Sequence, residues 1–327
     1  MSNSIHALRM EKTGGPEVMS WQPVGVAAPA AGQVRIRHTA VGLNFIDVYH
    51  RSGVYPVQCP ATPGLEGCGV VEAVGSGVTE LKVGDRVAYA GGPMGAYTEA
   101  RLMPADRVVK VPAGVTDAQA ASMMLKGLTA QYLLRRVYRV KAGDTILIHA
   151  AAGGVGLIVC QWAKHLGATV IGTVSSDDKA ELAKANGCDH PIVYTREDLV
   201  KRVAEITGGK KVPVVYDSVG KDTFMKSLDC LAMFGMMVTF GQSSGSVPPL
   251  ELGLLSAKGS LFVTRPTLMS YIASREDLVS MSEELFGVVA SGAVKIHVNQ
   301  TYALKDAVQA HRDLEARKTT GSTVFTV

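Results

Sequence analysis

One short stretch limits the folds open to this chain more than any other. Residues 145–150, TILIHA, form an apolar, strand-like run that leads directly into Ala151-Ala152-Gly153-Gly154-Val155-Gly156. From residue 154 to 166 the apolar side chains Val155, Ile158, Val159, Trp162 and Leu166 then recur at helical spacing. Strand, glycine-rich turn and helix in that order are the context in which an A-x-G-x-x-G pattern carries meaning. Gly153 lets the backbone approach a pyrophosphate, and Gly156 lets the helix pack on the strand. The helix N-terminus, with Gly154 and Val155 in its first turn, offers N–H donors and the positive end of a dipole. The bland alternative is a glycine-rich turn with no ligand, and it requires the fit of the surrounding elements to be accidental.

The surrounding pattern repeats the same unit. Strands are expected at 169–174, 191–194, 212–216, 236–240 and 260–264, with helices at 179–186, 197–207 and 224–231 between them. Such repeats build an α/β, doubly wound parallel sheet with helices on both faces, a Rossmann nucleotide-binding domain. Before about Pro112 the texture differs: VRIRHTAVGL, GCGVVEAVGSGV, DRVAYA, AYTEARLM and RVVKVP are short β-rich runs broken by Gly and Pro. They suggest a bent, barrel-like sheet. After Arg265-Pro266 an amphipathic segment at 268–291 precedes short strands and a helix, and about sixty residues are too few for a third large domain. The expected organisation is therefore a first domain over 1–125, a nucleotide domain over 126–265, and a return to the first over 266–327.

Charge and cysteine usage exclude several classes. The net charge is +4 with Lys and Arg scattered, so no footprint for nucleic acid stands out. No apolar run reaches the roughly 18 residues of a membrane span, and the N-terminal stretch lacks the apolar centre of a secretory signal, so a cytoplasmic protein is expected. Five cysteines at wide spacings contain no C-x-x-C pair, and the eight histidines form no ligand-spaced cluster.

Which dinucleotide binds is decided about 20 residues beyond the glycine turn, where an NAD enzyme presents a carboxylate to the ribose. Here the second strand ends Gly172-Thr173-Val174-Ser175-Ser176 with no Asp or Glu. Ser175 and Ser176 can donate hydrogen bonds, and Lys179 supplies charge, as a 2′-phosphate requires. Asp177 and Asp178 stand close by, and as first-turn residues they can cap the helix and point away. NADPH is the expected cofactor; the alternative reads Lys179 as an ordinary surface lysine.

The layout resembles the medium-chain dehydrogenase/reductase superfamily over nearly the whole chain, with a GroES-like barrel as its first domain. In the superfamily's alcohol dehydrogenases a Cys in a G-x-C-x-x-D-like turn, a His in a G-H-E triplet and a further Cys make an open zinc site. The matching segments here are Gly42-Leu43-Asn44-Phe45-Ile46-Asp47 and Gly64-Leu65-Glu66, and residues 123–129 hold no Cys. Asn44 and Leu65 stand where two ligands would be, and no metal is expected. GLNFIDVYHRSGVYP, AAGGVG, GGKKVPVVYDSVG, FGQSSG, VTRPTL and the tail segment RKTTGS look like the zinc-independent bacterial NADPH:quinone oxidoreductases.

That resemblance implies a quinone substrate, NADPH as donor and a homodimer. It places Asn44, Phe45, Ile46 and Asp47 along the nicotinamide half of the cofactor, with Thr129 and Tyr132 near it. Gly154 and Val155 hold the pyrophosphate, Ser175, Ser176 and Lys179 the 2′-phosphate, and Tyr194 and Ser218 the adenosine side. Gln242, Ser243, Ser244, Val263, Thr264, Arg265 and Arg317 complete the set. Bland readings stand beside these: Asp47 as a helix cap, Arg265 as an interdomain salt-bridge residue, Tyr194 as a core tyrosine, and Tyr49 and Tyr55 as packing.

A quinone or conjugated enone spreads incoming charge over a π-system ending at oxygen, so hydrogen-bond donors can replace a Lewis acid. Direct hydride delivery is then expected, with Asn44 and Tyr49 as candidate donors to the acceptor. A zinc-free enone or 2-alkenal reductase would use the same cofactor site. A catalytically silent NADPH-binding protein would keep the fold without turnover.

Overall fold

Val34, Ile36, His38 and Ala40 turn inward along the strand Gln33–Leu43, while Arg35, Arg37 and Thr39 face outward, the period-two pattern of a sheet with one buried face. This strand pairs antiparallel with Glu66–Val74, Ala100–Pro104 and Ser322–Thr326, so it is the centre of its sheet. Two register shifts against Glu66–Val74, at Arg35/Ile36 and His38/Ala40, bend the pair as bulges do. Seven strands join in all, with Arg86–Ala90, Val109–Lys110 and Val298–Ala303 completing the sheet. Ile36, Val71, Val87, Tyr89, Met103 and Phe325 fill its core. An N-terminal hairpin, Ser4–Met10 with Met19–Gly25, adds a two-stranded sheet that the β-rich runs of the sequence do not announce.

The computed structural model describes residues 4–327, in two compact units. The barrel unit extends to Leu128 and takes in Ile272–Ala290 and Ile296–Val327; the other unit is Thr129–Tyr271 with Ser291–Lys295. In that second unit six parallel strands lie in the order His190–Val193, Thr169–Val174, Thr145–Ile148, Val212–Asp217, Leu231–Thr239, Phe262–Thr264. Numbered along the chain the order is 3-2-1-4-5-6, the doubly wound arrangement expected, with its switch point between the first and fourth strands. The first helix, Gly154–His165, buries Ile158, Val159 and Trp162.

The expected amphipathic segment at 268–291 is two helices, Leu268–Tyr271 and Arg275–Ala290. The break has a local cause: Ser274 Oγ accepts from Asp277 N at 3.0 Å and donates to the Asp277 carboxylate at 2.7 Å, an N-cap that starts the second helix afresh. Among the described residues no helix is long and apolar enough to cross a membrane.

Candidate functional site

In the second unit the glycine turn behaves as its sequence demands. Ala150 leaves the strand at φ 55°, a left-handed conformation costly for a residue with a Cβ. Ala151 N then reaches Thr173 O on the neighbouring strand at 3.0 Å, and Gly153 N closes back on Ala150 O at 2.9 Å. A Cβ on Gly156 would stand 2.3 Å from Ala150 O and 2.7 Å from Ala151 O, so this helix position admits only hydrogen. Gly153 is the N-cap and contributes no side chain, which leaves the first-turn N–H groups facing whatever lies beyond the turn.

Every candidate in this unit that follows a strand follows its carboxyl end, the edge where open α/β sheets bind ligands. Ser175 and Ser176 follow Thr169–Val174, Tyr194 follows His190–Val193, and Ser218 follows Val212–Asp217. Gln242, Ser243 and Ser244 follow Leu231–Thr239, and Arg265 follows Phe262–Thr264, the strand that carries Val263 and Thr264. Beneath the switch point His149 is buried between Thr173 Oγ1 and Ser227 Oγ, both at 2.9 Å, and Ser227 donates to Asp217 at 3.1 Å. Burial holds the His149 imidazole below its usual range. Asp217 Oδ1 accepts from Val219 N at 2.7 Å and Gly220 N at 3.0 Å, which fixes the turn carrying Ser218.

Ser176 is the N-cap of helix Asp177–Ala185, its Oγ accepting from Lys179 N at 3.4 Å. Asp177 is exposed and paired with Arg196, whose Nη1 donates to Oδ2 at 2.7 Å. That pairing meets the charge objection for Asp177 alone, which carries its own cation; Asp178 stands exposed on the same turn. Sequence reasoning misses Arg196, since nothing links it to Asp177 across 19 positions. Tyr194 is 45% exposed, which removes the core-tyrosine reading. Arg265 donates to Gly241 O at 2.7 Å, Thr239 O at 3.2 Å and Gln242 Oε1 at 3.3 Å, bonds that tie the fifth and sixth strand ends together. Thr129 and Tyr132 are buried; Tyr132 stacks on Tyr271 at 4.6 Å, just before a π-helical turn at Leu133–Val137.

The barrel unit supplies a second cluster. Asn44 is the N-cap of helix Phe45–Ser52, its N–H donating to Asp47 Oδ2 at 2.9 Å and its carbonyl accepting from Asp47 N at 3.0 Å. Phe45 and Ile46 are half-buried, whereas the Asp47 side chain is fully buried and acts as a cap. Burial pushes the Asp47 carboxyl up to about 7, against hydrogen bonds from Asn44 N and Tyr97 Oη that favour its charged form. Tyr97 Oη, 3.0 Å from Asp47 Oδ2, also lies 3.0 Å from His311 Nε2; Arg51 Nη1 reaches His311 Nδ1 at 3.4 Å and holds Glu315 through two bonds of 2.9 Å. Arg51 only donates, so His311 Nδ1 accepts and the ring proton sits on Nε2. Sequence spacing gives no sign of this chain of contacts, which joins residues more than 200 positions apart.

The positions of the superfamily's metal ligands are filled by other chemistry. Leu65 is buried and has no donor atom. Asn44 Nδ2 donates to Glu66 Oε2 at 2.8 Å, and Lys126 Nζ lies 3.3 Å from the same oxygen and 3.0 Å from Leu43 O. An amide committed to a carboxylate, an aliphatic side chain and an ammonium do not make a zinc site. Tyr49 is buried against Phe45 and Tyr55, with ring centroids 5.3 Å and 5.1 Å away. Arg317 is exposed at φ 59° in the turn after the last helix.

Comparison with known proteins follows the same division. Residues 30–113 match the family described as alcohol dehydrogenase GroES-like domain, and residues 154–286 the family described as zinc-binding dehydrogenase. The chain is 56% identical to quinone oxidoreductase of Pseudomonas aeruginosa, covering 95% of this chain and 96% of that protein. It is 48% identical to 2-haloacrylate reductase of a Burkholderia species, covering 98% of each. The crystal structure of Escherichia coli quinone oxidoreductase complexed with NADPH superposes with a TM-score of 0.97 at 50% identity, over 98% of this chain and all of that one.

Proposed function

The chain belongs to the quinone oxidoreductase family of the medium-chain dehydrogenase/reductase superfamily, and from that premise we propose that it reduces quinones with NADPH by direct hydride transfer that uses no metal. The observation that carries the reading is the replacement of the metal constellation by Asn44, Leu65 and the Lys126–Glu66 pair. An alcohol substrate would need a Lewis acid to hold its alkoxide, whereas a quinone holds the added charge itself.

NADPH supplies the hydride when bound. The first-turn N–H groups after Gly153 suit its pyrophosphate, and Ser175, Ser176 and Lys179 suit its 2′-phosphate. Tyr194 and Ser218 suit the adenosine side, and the Gln242–Ser244 turn, Val263, Thr264, Arg265 and Arg317 complete the binding set. Asn44 offers an N–H to charge growing on the reactants, and Phe45 and Ile46 exclude water around them. Tyr49, held by Phe45 and Tyr55, is the second candidate donor.

The assembly we infer is a cytoplasmic homodimer. Strand Phe262–Thr264 is a sheet edge, and around it Phe262 is 58%, Met233 71% and Phe234 65% exposed, an apolar edge that a monomer would leave open to aggregation. The five cysteines are unpaired, as a reducing compartment keeps them.

A second reading is favoured by the likeness to 2-haloacrylate reductase: reduction of a conjugated carbon–carbon double bond at the same cofactor site. A steady-state panel decides between them, with 1,4-benzoquinone, a 2-alkenal and 2-chloroacrylate as acceptors and both NADPH and NADH as donors. The expected result is the highest kcat/KM with benzoquinone and NADPH, unchanged by chelator. A higher kcat/KM for either alkene overturns the quinone reading, and loss of activity on chelation overturns the metal-free one.

A further inference from the structure

Where the superfamily's alcohol dehydrogenases place a metal, this chain places a buried ion pair, and we propose that Lys126 and Glu66 act as a positioning pair that fixes the orientation of the Asn44 side-chain amide. The proposal rests on the preceding reading only in taking Asn44 as a group that meets the reactants.

Glu66 has no exposed surface and Lys126 is 6% exposed. All of the carboxylate's contacts are donors: Oε1 accepts from Leu125 N at 2.8 Å, and Oε2 from Asn44 Nδ2 at 2.8 Å and Lys126 Nζ at 3.3 Å. With the ammonium beside it the carboxylate accepts only, so the face of Asn44 turned to it has to be Nδ2. The N–H of Asp47 donates to the Asn44 backbone carbonyl at 3.0 Å, so it is the Glu66 contact that sets which end of the side-chain amide turns inward. The Nδ2 end of the amide is therefore specified by Glu66. One Nδ2 hydrogen is spent on Glu66, and the other is left as a donor.

Two further features are specific to this arrangement. A Cβ on Gly42 would stand 2.1 Å from the Ala121 backbone oxygen and 2.3 Å from Glu66 Oε2, so the strand keeps a glycine where both the helix backbone and the carboxylate pass. Lys126 also donates to Leu43 O at 3.0 Å, tying the ammonium to the residue before Asn44. A donor, not a carbonyl oxygen, is what growing negative charge on an acceptor requires. The pair thus secures by orientation part of what a metal would secure by charge.

The test is the double substitution Glu66→Gln/Lys126→Met, which removes both charges together and leaves neither buried alone. With the introduced glutamine accepting from Leu125 N through its oxygen, its NH2 group replaces Oε2, and Asn44 has to turn its own oxygen toward it. In ligand-free protein, 15N–1H spectra should show the Asn44 side-chain amide losing the downfield proton that Glu66 produces. With 1,4-benzoquinone kcat should fall about 10- to 100-fold. The NADPH dissociation constant should stay within about threefold, and in an Asn44→Ala background the double substitution should change kcat less than about twofold.

An unmoved Asn44 amide, or an equal loss of kcat in the Asn44→Ala background, overturns the proposal and leaves the pair a packing feature. Lys126→Arg keeps the cation and serves if the double variant does not fold: kcat within about threefold of the parent supports the pair, and a folded Arg variant with the full loss overturns it. A parent protein that fails to oxidise NADPH with benzoquinone counts against the quinone reading alone, because the amide spectrum reads the orientation without turnover.

Discussion

Asp47 couples the acceptor-side cluster to pH in a direction opposite to that of carboxylates held low by ion pairs, because burial raises it. Its carboxyl has no exposed surface, and burial outweighs the donors at Oδ2, raising it from 3.8 to about 7 while Oδ1 has no hydrogen-bond partner among the described residues. The folded protein therefore holds a proton that the unfolded chain releases. A raised carboxyl contributes stability that is fully present below the unfolded value and lost as pH rises through the folded one. The span from 3.8 to about 7 amounts to about 4 kcal/mol in total, of which about 3 kcal/mol falls between about pH 5 and pH 8. Asp47→Asn keeps the size and an acceptor for Asn44 N and Tyr97 Oη but cannot titrate.

His311 and His38, lowered by burial to about 3 and about 4, lose stability in the opposite sense as pH falls, and they are present in both proteins. The quantity to follow is therefore the difference in urea midpoint between Asp47→Asn and the parent across that range. It should move toward the variant as pH rises, by the equivalent of about 3 kcal/mol. Parallel pH curves for the two proteins refute the argument, because they would mean that the buried carboxyl does not titrate between the two limits.

Three further outcomes follow from named contacts. Lys179→Ala should lower the ratio of kcat/KM for NADPH over NADH by about tenfold or more, the worth of one charge-assisted bond to a phosphate; an unchanged ratio assigns the selectivity to other residues. Gly156→Ala puts a methyl 2.3 Å from Ala150 O, and the forced shift should cost about 1–3 kcal/mol and weaken NADPH binding in a fluorescence titration. Retained affinity and melting temperature would show that the turn yields at no cost. Phe262→Lys on the exposed sheet edge tests the proposed homodimer: the parent should sediment as a dimer and the variant toward monomer, and an unchanged sedimentation places any interface elsewhere.

The nucleotide unit is legible in the sequence because its determinants are local. Period, glycine spacing and strand ends lie within about thirty residues of one another, so the 145–166 segment and the strand at 169–174 can be read without knowing what they touch. The two-helix form of 268–291 is equally local in cause, yet its periodicity reads as one segment because Ser274 and Asp277 look like ordinary polar residues until their reciprocal bonds are seen. The barrel cluster is legible only by position. The sequence marks Asn44 and Leu65 as substitutions for metal ligands, but Lys126 lies 60 residues from Glu66 and His311 lies 214 from Tyr97. No spacing rule links such pairs.

The physical reason is burial. A charge in the open is satisfied by water and leaves no mark on distant sequence, whereas Glu66 and Asp47, with no exposed surface, must draw every partner from the fold itself. A carboxylate buried with no metal beside it needs another cation or a proton. This chain uses both solutions side by side, an ammonium at Glu66 and a raised carboxyl at Asp47, and Asn44 lies between them with a hydrogen bond to each. A substitution at one carboxyl should therefore alter the other through Asn44, and the Asp47 titration measured in Glu66→Gln/Lys126→Met reads that coupling directly.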